Sequence, residues 1–421
     1  MLSRLMALSL SMTVACSGPK SSDNELKGHY ENEQNKELAN YEKYIGKQSL
    51  VPEYKDGVKQ VFINADLVIP NVFNSSETKG LAKAIINAGS ELVILTDDER
   101  AAAGLDNSDF DSLRDEVGYW FMDKVLLKSM GKLGVDSLWT RDYFPLMPID
   151  GSGKPLLVDF NYYTHDILGE ETPRILERQT GLPRVSLPIY AEGGNIIVND
   201  DGLCLMSESV LVENSKAKMP TDSVLSKAEI TRLYKQYVGC KDVKYFPIMP
   251  YEGSQHIDIW AKFISNDTIL VHDLEDRAVQ TMNPQYRSRG EEIQDYLKAR
   301  QADLKALGLN VKKIPMPAPY FDVGNEGSDY EYEMISILSF INGLIVNGTI
   351  IFPDYILNTD ADNNVIDLSD IQYFSDYKES IASTVGSEGF KAVFINSDNI
   401  VGLGGAIHCV TKESRVRLFA D

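Results

Sequence analysis

The stretch that decides the fold is Asn342-Gly343-Leu344-Ile345-Val346-Asn347-Gly348-Thr349-Ile350-Ile351-Phe352. Residues 343–346 and 349–352 are rich in β-branched and aromatic residues, which favour strands. Asn347-Gly348 stands between them, and Asn-Gly is a preferred hairpin turn because both positions need a positive φ. The stretch therefore predicts a β-hairpin that begins directly after a polar residue, Asn342.

The same arrangement occurs twice upstream. The turn residues 199–202, between two β-rich runs, follow shortly after Glu192. The turn residues 265–267, again between two β-rich runs, follow shortly after Asp258. Both stretches predict hairpins of the same kind, each preceded by a polar residue.

The polar residues recur at loosely regular separations. These are 64 residues from Glu192 to His256, 86 from His256 to Asn342 and 67 from Asn342 to Cys409. Sequences with helical spacing separate the hairpins at residues 227–237 and 291–307. The repetition predicts ββα-type units that bring each motif to one central point.

The first part of the folded body has a mixed α/β pattern. Residues 61–64 and 92–95 are predicted to be strands, and residues 78–88 a helix. Residues 114–133 carry apolar side chains at helical spacing and are predicted to form a second helix. No linker interrupts the body, so residues 56–421 are predicted to be a single domain.

Composition bounds the function. The chain has 421 residues, of which 43% are hydrophobic, so a large core is expected and global disorder is not. Its formal net charge of −21 argues against nucleic-acid binding, which needs a basic surface. The charge fits a cationic substrate, but acidic surfaces also serve solubility alone.

The cysteines and histidines form no recognisable metal motif. Cys16, Cys204, Cys240 and Cys409 contain no CxxC pair, and the histidines form no HExxH pattern. We therefore expect no metal, no cofactor and no disulfide framework. Cys204 and Cys240 are expected to be core residues.

The N-terminus has the features of an export signal. Arg4 precedes an apolar run over residues 5–15, which ends in Thr13-Val14-Ala15-Cys16. This ending resembles the cleavage box of bacterial lipoproteins and implies a signal peptide over residues 1–16 and a lipid on Cys16. A plain secretory signal and a disordered terminus are the alternatives. Residues 17–55 are polar and are predicted to be a tether, so membrane contact is expected through the lipid alone.

Cys409 is a candidate nucleophile. It ends the run Gly402-Leu403-Gly404-Gly405-Ala406-Ile407-His408-Cys409, and glycines allow a substrate to approach a thiol closely. His256 is a candidate general acid and base. Asp258 follows it by two residues, and on a strand the two side chains would share one face.

Further carboxylates accompany the thiol and the imidazole. Asp142 ends the motif Trp139-Thr140-Arg141-Asp142, and Glu192 precedes Gly193-Gly194. Converging carboxylates repel one another unless a cation lies between them. A guanidinium is planar and permanently charged, so two carboxylates can grip it in forked pairs. The set points to an amidine or guanidine substrate whose central carbon Cys409 attacks.

These motifs resemble those of the bacterial peptidylarginine deiminase family, which also contains the agmatine deiminases, within the guanidino-group modifying superfamily. The resemblance covers residues 61–421 and implies the pentein fold, an α/β propeller of five ββαβ-like units about a pseudo-fivefold axis. The matching stretches are Trp139-Thr140-Arg141-Asp142, Glu192-Gly193-Gly194-Asn195, Gly253-Ser254-Gln255-His256-Ile257-Asp258, Ser339-Phe340-Ile341-Asn342 and Gly404-Gly405-Ala406-Ile407-His408-Cys409.

The resemblance also implies an activity and a role for each motif residue. The activity is metal-free hydrolysis of a guanidinium to a ureido group and ammonia. Cys409 would form a covalent thiouronium adduct, and His256 would protonate the leaving ammonia and then activate water. Asp142 and Asp258 would hold the guanidinium nitrogens, and Glu192 would orient His256 or a substrate nitrogen.

Trp139, Asn342 and Gly405 are the substrate-binding residues that the resemblance implies. Asn342 would also position the loop that carries Cys409. No cofactor is implied. The partner is a small cationic guanidine or an arginine-containing peptide.

One departure from the family bears on the substrate. Members that prefer a terminal arginine resemble this chain around Val158-Asp159-Phe160 but carry arginines shortly afterwards, to grip a carboxylate. Residues 161–166 contain no arginine here. This favours agmatine or an arginine within a peptide, although export is unusual for polyamine metabolism.

Two other interpretations remain open. An amidinotransferase or a dimethylarginine-type hydrolase would use the same fold. A non-catalytic surface-binding lipoprotein would keep the fold without turnover, but the presence of Cys409, His256, Asp142 and Asp258 speaks against it.

Overall fold

The computed structural model describes residues 40–67, 75–103, 123–131, 137–162, 167–218, 224–321, 335–359, 365–367, 372–401 and 403–419. The predicted signal peptide, Cys16 and residues 17–39 lie outside these ranges. None of the helices in the described ranges combines the length and the hydropathy needed to cross a bilayer.

Strands and α-helices are interspersed along the described ranges. The strands are β1 Gln48–Ser49, β2 Gln60–Asn64, β3 Glu91–Thr96, β4 Val125–Ser129, β5 Ile149–Asp150, β6 Leu157–Asn161, β7 Arg184–Tyr190, β8 Ile197–Val198, β9 Leu203–Ser207, β10 Asp242–Phe246, β11 Ala261–Phe263, β12 Thr268–Asp273, β13 Asn310–Pro315, β14 Tyr320–Phe321, β15 Ile335–Ser336, β16 Leu344–Val346, β17 Thr349–Asp354, β18 Leu357–Thr359, β19 Val365–Asp367, β20 Lys391–Asn396 and β21 Lys412–Ser414. The α-helices are α1 Ser75–Asn87, α2 Asp98–Ala103, α3 Thr140–Tyr143, α4 Ile167–Thr180, α5 Ser209–Glu213, α6 Lys227–Leu233, α7 Asp276–Thr281, α8 Arg287–Ala306, α9 Gln372–Ser387 and α10 Asp398–Val401.

Five sheets in the described part of the chain share one pattern of pairing. In each, a middle strand has an antiparallel neighbour on one side and a parallel neighbour on the other. At least one helix precedes each parallel neighbour, because parallel pairing needs a crossover connection. The five sheets are β21-β2-β3, extended by β4, then Leu146-β6-β7, β8-β9-β10, β11-β12-β13 and β16-β17-β20.

The three predicted hairpins are confirmed. The pairs β8/β9, β11/β12 and β16/β17 are antiparallel and adjacent in sequence. At the turn of the third hairpin, Asn347 has a φ of 45° and Gly348 a φ of 75°, as the Asn-Gly dipeptide predicts. The predicted strands at β2 and β3 and the predicted helix at α1 are also present.

The helix predicted over residues 114–133 is wrong where the structure describes it. Val125–Ser129 is strand β4, which pairs in parallel with β3. A short apolar run is compatible with a buried strand or a buried helix, and periodicity alone does not separate the two. Residues 114–122 and 132–133 lie outside the described ranges.

The folded body begins earlier than residue 56. Strand β1 pairs with β5, and Tyr41, Tyr44 and Leu50 pack against a buried core cluster. The side chain of Glu53 is only 14% exposed and contacts the buried side chains of Lys262 and His408. Residues 40–55, predicted to belong to the tether, are therefore part of the folded body.

A disulfide bond joins Cys204 to Cys240, which corrects the expectation that the chain has none. Cys204 lies in β9, and Cys240 lies two residues before β10, the parallel neighbour of β9. Their Cα atoms are 5.7 Å apart, and both residues are buried in one core cluster. Their 36-residue separation matches no motif, so only the pairing of the two strands brings them together.

Each sheet presents its motif residue at the same place, shortly before its antiparallel edge strand. The chain thus repeats one local arrangement five times, each with a polar motif residue at the same place. In order, Asp142 precedes the Leu146 bridge, Glu192 precedes β8, His256 precedes β11, Asn342 precedes β16 and Cys409 precedes β21.

Candidate active site

Asn342 holds the turn that carries Cys409. The side chain of Cys409 is buried, and its thiol donates a hydrogen bond to Asn342 Oδ1 at 3.2 Å. The backbone N–H of Cys409 donates to the same oxygen at 3.3 Å, and that of His408 donates to the Asn342 carbonyl at 3.0 Å. Asn342 therefore fixes the thiol through both its side chain and its backbone.

Trp139 and Gly405 lie directly beside this thiol. A Cβ atom on Gly405 would lie 2.4 Å from Trp139 Cζ3 and 3.1 Å from Cys409 Cβ. The indole ring therefore covers the Gly405 backbone, and no larger residue fits there without movement of the ring. The backbone N–H of Arg141 donates to the Cys409 carbonyl at 3.0 Å, which joins the two motifs.

Three more motif residues surround Gly194. A Cβ atom at this position would lie 2.6 Å from His256 Nδ1, 3.0 Å from Asp142 Oδ1 and 3.1 Å from Asp258 Oδ2. The backbone N–H of Gly194 also donates to Asp142 Oδ1 at 2.9 Å. The Gly-Gly pair after Glu192 thus lets an imidazole and two carboxylates meet against bare backbone.

The route by which His256 and Asp258 enter the site differs from the prediction. They do not share a strand face, because Ile257–Ile259 is a 3-10 turn that precedes β11. The turn nevertheless brings both side chains against Gly194.

His256 lies between two carboxylates and is hydrogen-bonded to one of them. Its Nε2 lies 2.5 Å from Glu192 Oε2, and its Nδ1 lies 3.8 Å from Asp142 Oδ1. Burial opposes the charged imidazolium, but the charges of Asp142 and Glu192 together outweigh it and raise the pKa of His256 to about 10. His256 therefore carries a proton at neutral pH and can act as an acid.

Asp142 is held partly protonated by its surroundings. Burial raises the pKa of Asp142 to about 7, and the charges of Glu192 and Asp258 add to that effect. The positive charge of His256 and the Gly194 N–H oppose the rise. A cation placed beside Asp142 would favour the ionised carboxylate.

Asp258 is the end of a buried chain of charges. Its Oδ2 lies 2.6 Å from His408 Nδ1, and His408 Nε2 lies 3.0 Å from Glu53 Oε2. Lys262 Nζ donates to the same Glu53 oxygen at 2.8 Å. Burial opposes ionisation of both carboxyls, but the hydrogen bonds and charge of His408, with the charge of Lys262, hold the pKa of each below its ordinary value.

The surroundings of the Cys409 thiol oppose its ionisation. Burial raises the pKa of Cys409 well above its ordinary value, and the negative charges of Asp258 and Asp142 add to the rise. A bound cation between these groups would reverse both electrostatic contributions. The thiolate is therefore expected to form in the presence of a cationic substrate.

Three buried polar atoms of the site have no hydrogen-bond partner among the described residues. They are His256 Nδ1, Asp258 Oδ1 and Asn342 Nδ2. Buried polar groups are normally paired, so unpaired atoms on three motif residues indicate a place for a polar ligand. A cavity of about 140 Å³ opens beside Glu192 and is lined further out by Tyr190 and Glu213.

The structure brings all eight sequence-predicted site residues together. It adds Glu53, which lies within the predicted tether, and His408, to which the motifs assign no role. No local pattern marks Glu53, whose partner His408 lies 355 residues further along the chain. Within the described residues, no group of three His, Cys, Asp or Glu side chains is arranged to hold a metal ion.

The geometry and the relatives define a class: hydrolases that act on the C–N bonds of amidines. The chain belongs to the family of Porphyromonas-type peptidyl-arginine deiminases, whose family model matches residues 75–414. The family predicted from the motifs is thereby confirmed.

Individual relatives agree with this family. The chain is 26% identical to a putative agmatine deiminase of Streptococcus mutans over 302 residues, which covers 66% of this chain and 74% of that protein. It is 25% identical to an agmatine deiminase of Pseudomonas aeruginosa over 307 residues, covering 67% and 75%.

Solved structures share the fold. C. jejuni agmatine deiminase superposes with a TM-score of 0.63 at 19% identity, covering 88% of this chain and 97% of that chain. Agmatine deiminase of Enterococcus faecalis superposes with a TM-score of 0.61 at 20% identity, covering 88% and 96%.

Proposed function

We propose that this protein hydrolyses a guanidinium group to a ureido group and ammonia through a covalent adduct on Cys409. The observation that carries the proposal is the convergence of a buried thiol, an imidazole and carboxylates around unpaired polar atoms. A cation at this point would pair with Asp258 Oδ1 and relieve the repulsion among the carboxylates. A planar guanidinium supplies that charge and presents its carbon to the thiol.

Substrate binding would start the reaction. The guanidinium would donate to Asp142 and Asp258, and its charge would lower the pKa of Cys409, so that the thiol proton leaves for solvent. The thiolate would then attack the guanidinium carbon and form a tetrahedral adduct. Asn342, which already holds the thiol, would keep the sulfur in line for attack.

His256 would carry out the remaining proton transfers. As an imidazolium it would give a proton to the departing amine, leaving a thiouronium on Cys409. The neutral imidazole would then take a proton from water as the water attacks the same carbon. As that adduct collapses, its hydroxyl proton would leave for solvent, the ureido product would be released and the thiolate would be restored. Glu192, 2.5 Å from His256, would keep the ring oriented throughout.

The cavity beside Glu192 favours a substrate without a carboxylate near the entering end. Its described lining contains the carboxylates of Glu192 and Glu213. The cationic side chain there, Lys218, pairs with Glu213 and lies over the Tyr190 ring. Agmatine and arginine within a peptide fit this lining better than free arginine does, which agrees with the names of the relatives and of the family.

A ureido-product assay tests the proposal. Purified protein would be offered agmatine, free arginine and peptides with internal or terminal arginine, with ammonia measured in parallel. We expect equal amounts of ureido product and ammonia from agmatine or the internal-arginine peptide, and none with the Cys409→Ala variant. Equal turnover by Cys409→Ala would disprove the role of the thiol. An amidinotransferase would need an amine acceptor and release no ammonia, a dimethylarginine-type hydrolase would release a methylamine, and a binding lipoprotein would give neither product.

We further propose that the five sheets form a propeller about a pseudo-fivefold axis. The support is the identical pairing pattern of the sheets and the common place of their motif residues. A crystal structure tests it: superposing each sheet on the next should require a rotation close to one fifth of a turn.

We also propose that the protein is exported and carries a lipid on Cys16. The Cys204–Cys240 disulfide supports export, because disulfides persist in oxidising compartments. Metabolic labelling with a fatty acid, followed by fractionation, would test the anchor. The Cys16→Ala variant should lose both the label and its association with the membrane fraction; a variant that keeps either would contradict the anchor.

A further inference from the structure

Four ionisable side chains continue from the site into the core. Asp258, His408, Glu53 and Lys262 form an unbroken chain of contacts of 2.6, 3.0 and 2.8 Å. Asp258 is fully buried, and His408 and Lys262 are 2% and 1% exposed. Such a chain costs desolvation energy unless every member is paired, so its presence behind the thiol calls for a function.

We propose that His408, backed by Glu53, is a positioning residue that fixes the carboxylate of Asp258 so that one oxygen faces the guanidinium of the substrate. The inference rests on the proposed function and adds a positioning residue to it. His408 holds Asp258 Oδ2, whereas the buried Oδ1 has no partner in the described part of the chain. A carboxylate rotates easily about its terminal bond, so a bond to one oxygen is what presents the other.

Glu53 fixes the orientation of the His408 ring toward Asp258. An ionised carboxylate only accepts hydrogen bonds, and each ring nitrogen of His408 faces one such acceptor, Nδ1 facing Asp258 and Nε2 facing Glu53. Glu53 is itself held at both oxygens, because Oε1 accepts from the backbone N–H of Ile345 at 2.9 Å and Oε2 from Lys262. The orientation of Asp258 is thereby tied to strand β16.

His408 is also held through its backbone. Its N–H donates to the Asn342 carbonyl at 3.0 Å, and its carbonyl accepts from Arg141 Nε at 3.3 Å. The residue next to Cys409 therefore links the thiol turn to the substrate-binding carboxylate. One consequence can be measured without turnover: the site should prefer a cationic electrophile over a neutral one of the same shape.

The experiment compares alkylation of Cys409 by chloroacetamidine and by chloroacetamide. In both reactions the thiol loses its proton to solvent, the sulfur forms a bond to the carbon that loses chloride, and the intact mass of the protein gives the rate. We expect the wild type to react at least 10-fold faster with the amidine. His408→Leu should lower the ratio of the amidine rate to the amide rate about 10-fold.

Two conservative variants separate positioning from mere packing. The amide nitrogen of His408→Asn lies close to the position of Nδ1 and can still donate to Asp258, whereas that of His408→Gln lies close to Nε2. His408→Asn should therefore retain the higher ratio, whatever the melting temperatures of the two variants. Glu53→Gln should lower the ratio about 3-fold, and Asp159→Asn, which removes a buried carboxylate paired with Arg184 elsewhere, should leave it unchanged.

The outcomes are distinct. A wild-type ratio near one, an unchanged ratio in a folded His408→Leu, or equal ratios in His408→Asn and His408→Gln would each overturn the positioning role. A selective wild type that makes no ureido product would refute the proposed hydrolysis and leave this test standing.

Discussion

The substitution Gly194→Ala tests the convergence of the site directly. The added methyl group would meet His256 Nδ1 at 2.6 Å, whereas an ordinary contact begins at 3.4 Å. The imidazole must therefore move by at least 0.8 Å, and Asp142 and Asp258 by smaller amounts. The three nearest atoms all belong to side chains, so these side chains can move while the protein remains folded.

The displacement sets the expected magnitude. A misplacement of about 1 Å in a catalytic group costs about 100-fold in rate, which corresponds to about 2.7 kcal/mol of transition-state stabilisation. Crowding a packed site typically costs about 1–3 kcal/mol of stability. We therefore expect kcat/KM for the preferred guanidine to fall about 100-fold while the protein remains folded.

The neighbouring glycine provides a contrast. A methyl group on Gly193 would lie 2.1 Å from the backbone oxygen of Arg141, which cannot rotate away. Gly193→Ala should therefore lower the melting temperature more than Gly194→Ala does. Gly151→Ala, where no atom lies within 4 Å of the new methyl group, is the matched control for both.

The assay is ureido-product formation at several substrate concentrations, with thermal unfolding of each variant in parallel. Wild-type kcat/KM in Gly194→Ala would refute the reasoning, because it would mean that His256 does not lie where the chemistry needs it. A loss of activity explained entirely by unfolding would refute it equally.

The remaining predictions concern pH, the thiol turn and the disulfide. The pKa of Asp142 is raised to about 7 and that of Cys409 is also raised, so the reactive anions form only at higher pH. We therefore expect kcat/KM to increase with pH from 6 to about 9. A profile that is flat over this range would contradict the two pKa shifts. Asn342→Ala removes the acceptor of the Cys409 thiol and N–H, and kcat should fall about 10- to 100-fold with a smaller change in KM, whereas an unchanged kcat would exclude a role in holding the turn. Replacing both Cys204 and Cys240 by Ala should lower the free energy of unfolding by about 4 kcal/mol, from the entropy of a loop of this length, measured by denaturant titration; the intact protein treated with reductant should show a similar loss, and equal stability with and without reductant would argue against the bond.

Local sequence was sufficient where the structural cause is itself local. The Asn347-Gly348 turn and the β-branched runs around it specify the β16/β17 hairpin without help from the rest of the chain, because the turn dihedrals and strand preferences are properties of neighbouring residues. The motif residues were likewise recognisable from their types and order. Their meeting in one site could be inferred because the hairpins repeat.

Local sequence was insufficient where neighbours in space decide. Val125–Ser129 carries an apolar run that suits a buried helix as well as a buried strand, and its pairing with β3 makes it a strand. His256 and Asp258 meet through a turn instead of a shared strand face. The residues immediately before an antiparallel edge strand are shaped by the whole sheet, which a window of a few residues does not contain.

The sequence by itself thus predicted the repeated α/β units and the candidate nucleophile and acid, and it favoured a cationic substrate. Only the tertiary structure decided that Glu53 belongs to the core, that His408 links it to Asp258, and that Cys204 pairs with Cys240. The physical reason is range: these contacts join positions 355, 150 and 36 residues apart, and their energy depends on burial and charge neighbours that exist only once the sheets have assembled.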